Sequence, residues 1–90
     1  MTREAKEKII EKFKTHAKDT GSPQVQIAIL SGEIKDLSEH LGMHKKDFSS
    51  RRGLLRKVSE RRKLEKYLAR EDAVEYEKLM EKLKTNKLVG

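Results

Sequence analysis

The stretch GSPQVQIAILSGEIKDLSEHLG, residues 21–42, decides the fold. It is entered through Asp19-Thr20-Gly21-Ser22-Pro23, a run of turn formers. Ser22 is a good N-cap, and Pro23 falls at the first helical position, where its missing N–H leaves nothing unpaired. From there Ile27, Leu30, Ile34, Leu37 and Leu41 recur in alternating steps of three and four, the spacing of a helix face that packs on other helices. Gly42 is the expected stop.

Working outward, Thr2 is the expected N-cap of a first helix within residues 1–18, with Ala5, Ile9, Ile10, Phe13 and Ala17 on one face. After a loop from Met43 to Ser50, a long third helix is expected to start at Asp47, Ser49 or Ser50 and to end near Arg70. Leu54, Leu55 and Val58 in its first half, and Leu64, Tyr67 and Leu68 in its second, are expected to face the core. Asp72-Ala73-Val74-Glu75 resembles a capping box, opening a fourth helix that buries Val74, Tyr76, Leu79, Met80 and Leu83. Residues 85–90 read as a frayed tail. No strand signal or repeat interrupts this pattern. The expected fold is all-α: one domain over residues 1–90, three longer helices in a bundle and a more loosely docked N-terminal helix.

Composition narrows the function classes. Ninety residues with 22 Lys+Arg against 15 Asp+Glu carry a net charge of +7, too short a chain for a deep independent catalytic cleft. The absence of cysteine removes disulfides, thiolate metal sites and cysteine nucleophiles together. No apolar run approaches the roughly 18 residues of a membrane span, and a cytoplasmic location is expected. Counted along the chain, residues 1–18 carry a net +3, 19–43 carry −3, 44–66 carry +7 and 67–90 carry 0. The third block therefore equals the whole excess, which makes it a localised basic stripe.

Each group of reactive residues has a plain structural alternative. His40 and His44 lie four apart, but with Gly42 expected to break the helix between them and no third ligand patterned nearby, no metal site and no cofactor are expected. Asp47, Ser49 and Ser50 lie near those histidines without a nucleophile elbow or a second wall, so no enzyme is expected. The basic stripe is different. At 3.6 residues per turn Arg52, Arg56 and Lys63 fall within roughly 40° of one another, with Lys66 and Tyr67 flanking them. Such a face suits the phosphates of a nucleic acid, whereas a membrane surface needs an apolar face that this helix spends on its own core. Thr20, Gly21 and Ser22 either cap a helix or hold phosphate or ribose oxygens at its positive end. His40, Asp47 and Ser50 form a donor–acceptor cluster. Within it Asp47 is either a helix cap or an acceptor for a base amino group or a 2′-hydroxyl.

Thr20-Gly21-Ser22-Pro23-Gln24-Val25-Gln26, His40, His44-Lys45-Lys46-Asp47, Ser50-Arg51-Arg52-Gly53-Leu54-Leu55, Arg61-Arg62-Lys63-Leu64 and Tyr67-Leu68 follow one another in order. With these residues the chain closely resembles the bacterial small-subunit ribosomal protein fifteen family over nearly its full length. The resemblance implies a four-helix structural protein that binds small-subunit rRNA at a three-way junction and at a second site in an adjoining helix, and helps nucleate assembly of the platform. It also implies neighbouring small-subunit proteins as partners, a contact with large-subunit rRNA, and a monomer when free. Carried over, Thr20, Gly21, Gln26 and Tyr67 take the junction, with Ser22 of the same loop expected beside them, and His40, Asp47 and Ser50 read a minor groove. Lys45, Lys46, Arg51, Arg52, Arg56, Arg61, Arg62 and Lys63 take phosphates. Two positions depart from the family pattern: Glu33 stands where some members carry arginine, and Phe48-Ser49 replaces a pair often occupied by histidines. A DNA-binding helical module and a helical adaptor for acidic proteins are the competing readings.

Overall fold

The computed structural model describes residues 2–14 and 21–85 and, among them, consists of four helices without strands: α1 (Arg3–Phe13), α2 (Pro23–Met43), α3 (Phe48–Glu71) and α4 (Ala73–Thr85). Local chemistry sets the ends. Thr2 Oγ1 accepts from the Ala5 N–H at 3.1 Å, and Ser22 Oγ from the Val25 N–H at 3.3 Å with Pro23 next in line. Asp47 Oδ1 accepts from the Ser50 N–H at 3.0 Å, and Asp72 Oδ1 from the Glu75 N–H at 3.2 Å. Of the expected capping box only this forward half forms. Glu75 turns instead toward Lys78, 3.6 Å away.

Two helix ends differ from expectation. α1 stops at Phe13, where Lys14 leaves the helix in an extended conformation, its N–H still bonded to the Ile10 carbonyl at 2.9 Å. The expected burial of Ala17 lies outside the described residues. α2 runs through Gly42 to Met43, and His44 is its C-cap, with its N–H on the His40 carbonyl at 2.8 Å. A tight turn does the work expected of the glycine. The Asp47 N–H bonds the His44 carbonyl at 3.1 Å, and the Phe48 N–H bonds that of Lys46 at 3.0 Å, so no left-handed residue is needed.

α2 and α3 form the closest pairing, an antiparallel hairpin, with α1 laid on α2 and α4 on α3. Its register is fixed by cross-helix contacts: Glu33 to Lys57 at 3.1 Å and Ser31 to Arg61 at 3.3 Å. Extending this register places Tyr67 opposite the first turn of α2. The core gathers at one end of the hairpin, where Phe13, Val25, Ile27, Ala28, Leu68, Leu79 and Leu83 are buried together and Ile9, Ile10, Leu64 and Tyr76 pack around them. At the other end α2 is the only neighbour of α3 among the described helices. That explains the misplaced apolar residues: Leu54 and Val58 are half-buried, but Leu55, about 100° further round the helix, is 62% exposed. Val74, on the first turn of α4, is 62% exposed, and Tyr67 is 48% exposed; neither is a core residue.

Candidate nucleic-acid interface

Three clusters of polar side chains are carried by the α2–α3 hairpin. The first occupies its turn. The Asp47 carboxylate caps α3, and its Oδ2 also accepts from Ser50 Oγ at 2.7 Å and from His40 Nε2 at 2.7 Å. The Ser50 hydroxyl, the Ser50 backbone N–H and then His40 hold its carboxyl well below the usual carboxylate range. An ionised carboxylate only accepts, so the His40 ring nitrogen facing it carries the proton. His40 reaches this place because α2 is not broken at Gly42. The same unbroken turn brings the His44 ring to 4.6 Å from that of His40. Among the described residues no set of three His, Cys, Asp or Glu is arranged to hold a metal ion. The three residues expected to act together are thus bonded to one another.

The second cluster is the outer face of α3. Over an arc of about 160° this helix carries no carboxylate, and within it Arg52, Arg56, Arg62, Lys63 and Lys66 are exposed. None of the five forms an ion pair with a described residue. Lys45 and Lys46 extend the exposed basic surface across the turn. Arg51 Nη2 donates to the Lys45 carbonyl at 2.9 Å, which lays its guanidinium over the Phe48 ring at 5.7 Å. Two cations of the same block turn inward. Lys57 pairs with Glu33, and Arg61 is half-buried between Ser31 and Glu65, which lies 3.7 Å away. Arg61 therefore serves the hairpin seam, and the remaining candidate phosphate ligands face outward.

The third cluster lies where α2 begins. Gln26 Nε2 donates to the Gly21 carbonyl at 2.5 Å, Gly21 is exposed, and Ser22 Oγ is engaged in capping. Thr20 lies outside the described residues. The hairpin register brings Tyr67 to this end, where the Arg70 guanidinium stands 5.8 Å from its ring centre. Arg70 was not among the expected site residues, although its position one turn after Tyr67 is a readable sign. Close by, Gln26 and Lys63 line a groove of about 610 Å³ between α1, α2 and α3, together with the carboxylates of Glu33 and Glu60. No helix among the described residues is long and apolar enough to cross a membrane.

Comparison with known proteins accords with this fold and charge layout. A family model described as Ribosomal protein S15 matches residues 6–86. Small ribosomal subunit protein uS15 of Carboxydothermus hydrogenoformans is 57% identical over 83 residues, which is 92% of this chain and 93% of the relative. The protein of that name from Halalkalibacterium halodurans is 54% identical with the same coverage. By this match and by its four-helix architecture, the chain belongs to the ribosomal protein S15 family.

Proposed function

We propose that this protein is a non-catalytic, RNA-binding component of the small ribosomal subunit, acting in the cytoplasm as part of the ribosome. The observation that carries the reading is the outer face of α3, where five cations without carboxylate partners among the described residues stand on one helix side. Such a face neutralises phosphates and releases counterions, and it supplies affinity more than discrimination. Discrimination falls to the two hairpin ends. His40, Asp47 and Ser50 offer short polar groups of the kind that read the wide, shallow minor groove of an A-form helix. Gly21, Ser22, Gln26 and Tyr67, with Thr20 before them, hold a three-way junction. By this reading the protein binds small-subunit rRNA at both places, helps nucleate the platform, and touches neighbouring small-subunit proteins and large-subunit rRNA. It is a monomer when free. The test is competition at matched salt between a small-subunit rRNA transcript containing the junction, random-sequence RNA of equal length, and duplex DNA. The transcript is expected to win by at least about 1,000-fold, the lower end of the usual range for specific over non-specific binding. Equal competition by duplex DNA would favour a DNA-binding module instead.

A further inference from the structure

Two large apolar side chains stand in the middle of the basic face of α3. Phe48 is 60% and Leu55 62% exposed, and neither belongs to the core. They are seven residues apart, so they lie within about 20° of each other round the helix and about 10 Å apart along it. Scattered exposed apolar residues are ordinary. These two differ in their surroundings. Arg51, Arg52 and Arg56 flank the line between them, Arg62 continues the same side about two turns beyond Leu55, and no carboxylate lies on that side of the helix. The Phe48 end is also built: Arg51 is tied to the Lys45 carbonyl and covers one side of the ring, holding a guanidinium–aromatic pair in place before anything binds.

We infer that Phe48 and Leu55 form an apolar track that packs on riboses and bases of RNA between the phosphates held by the flanking arginines. This rests on the RNA-binding reading above. Charge complementarity selects the occupant: a cationic face with apolar centres matches a chain that alternates phosphates with apolar sugar and base surfaces. An acidic protein segment offers the charge without the flat rings that suit the Arg51–Phe48 pair.

The test uses Leu55→Lys and Phe48→Ala in the full chain, with the rRNA junction transcript and random-sequence RNA as probes. Lysine is as good a helix former as leucine, and both positions are exposed, so the melting temperature is expected to stay unchanged. Leu55→Lys adds a cation, and a face that worked through charge alone would then bind more tightly. Packing on sugar instead predicts weaker binding to the transcript by about 5- to 30-fold. Phe48→Ala is expected to weaken it by about 5- to 100-fold, the range for losing one stacked base. Binding to random RNA should change much less. Tighter binding of Leu55→Lys with a steeper salt dependence overturns the inference, as do variants equal to the parent, which would assign the track to a protein partner. Equal losses on both RNAs with a lowered melting temperature overturn it too. If the parent itself does not prefer the transcript, the RNA-binding reading fails along with it; if the parent does and Leu55→Lys gains, only the track fails.

Discussion

Asp47 serves three donors with two oxygens: the Ser50 N–H, the Ser50 hydroxyl and His40. A carboxylate offers about four lone-pair positions, so one acceptor site on Oδ1 is left for a base amino group or a ribose hydroxyl. Asp47→Ala removes a charge that repels phosphate, and electrostatics alone predicts tighter binding to every RNA. A reading role predicts instead a loss of about 10-fold or more on the cognate rRNA helix with little change on random RNA, measured at fixed salt. Asp47→Asn, which keeps a capping oxygen, separates this from lost helix stability. The depressed pKa adds a pH dependence. The folded state favours the ionised carboxyl, so the group stabilises the protein above its ordinary unfolded value near 3.9 and loses that contribution as pH falls through the folded pKa. The melting temperature of Asp47→Asn should therefore fall less steeply than that of the parent between about pH 5 and pH 2. Parallel curves would show that Asp47 is not held ionised by its partners.

α3 divides its cations by face, and the division is testable. Arg52→Ala, Arg56→Ala and Lys63→Ala combined should lower the slope of log affinity against log salt by about 2 to 3, at 0.7–0.9 for each released phosphate contact. Arg61→Ala should leave that slope nearly unchanged and lower stability by about 1 kcal/mol, because its hydrogen bond to buried Ser31 is lost. Slope measurements that reversed these two results would reverse the assignment of faces. The grouping of Arg52, Arg56 and Lys63 is legible in the sequence because it needs only the helical period. The inward turn of Lys57 and Arg61 is not, since it depends on the register that sets Glu33 and Ser31 opposite them. The exposure of Leu55, Val74 and Tyr67 is not legible for a related reason: periodicity says that an apolar side chain can be buried, but not whether a neighbour exists on that side. The caps at Thr2, Ser22 and Asp72 are readable because each is local, whereas at the start of α3 the sequence leaves Asp47, Ser49 and Ser50 open and the structure selects Asp47. Gly42 misled because the end of α2 is set by hydrogen bonds within the following turn rather than by a left-handed glycine.

At the scale of the molecule, the antiparallel hairpin separates the candidate specificity sites. Asp47 and Tyr67 lie twenty residues apart on one helix, about 30 Å at 1.5 Å per residue, with the cationic face of α3 between them. The longest dimension of the protein is 39 Å, so the two sites use most of its length. On the proposed reading, an RNA that engages both presents a junction and a helix held at that spacing, which a flexible single strand does only at an entropic cost. This arrangement also places Gln26 and Tyr67, far apart in sequence, at one end of the hairpin: the register of α2 on α3 brings them there. The exposure of Tyr67 removes the simple alternative that it is a core residue. The decisive measurement is the affinity of Tyr67→Ala and Gln26→Ala for the complete three-way-junction RNA and for an isolated RNA helix carrying only the second site, with melting temperatures alongside. Each substitution should weaken binding to the junction RNA by about 10-fold or more and scarcely change binding to the isolated helix. Equal losses on the two RNAs, in step with a lowered melting temperature, would contradict a two-site protein.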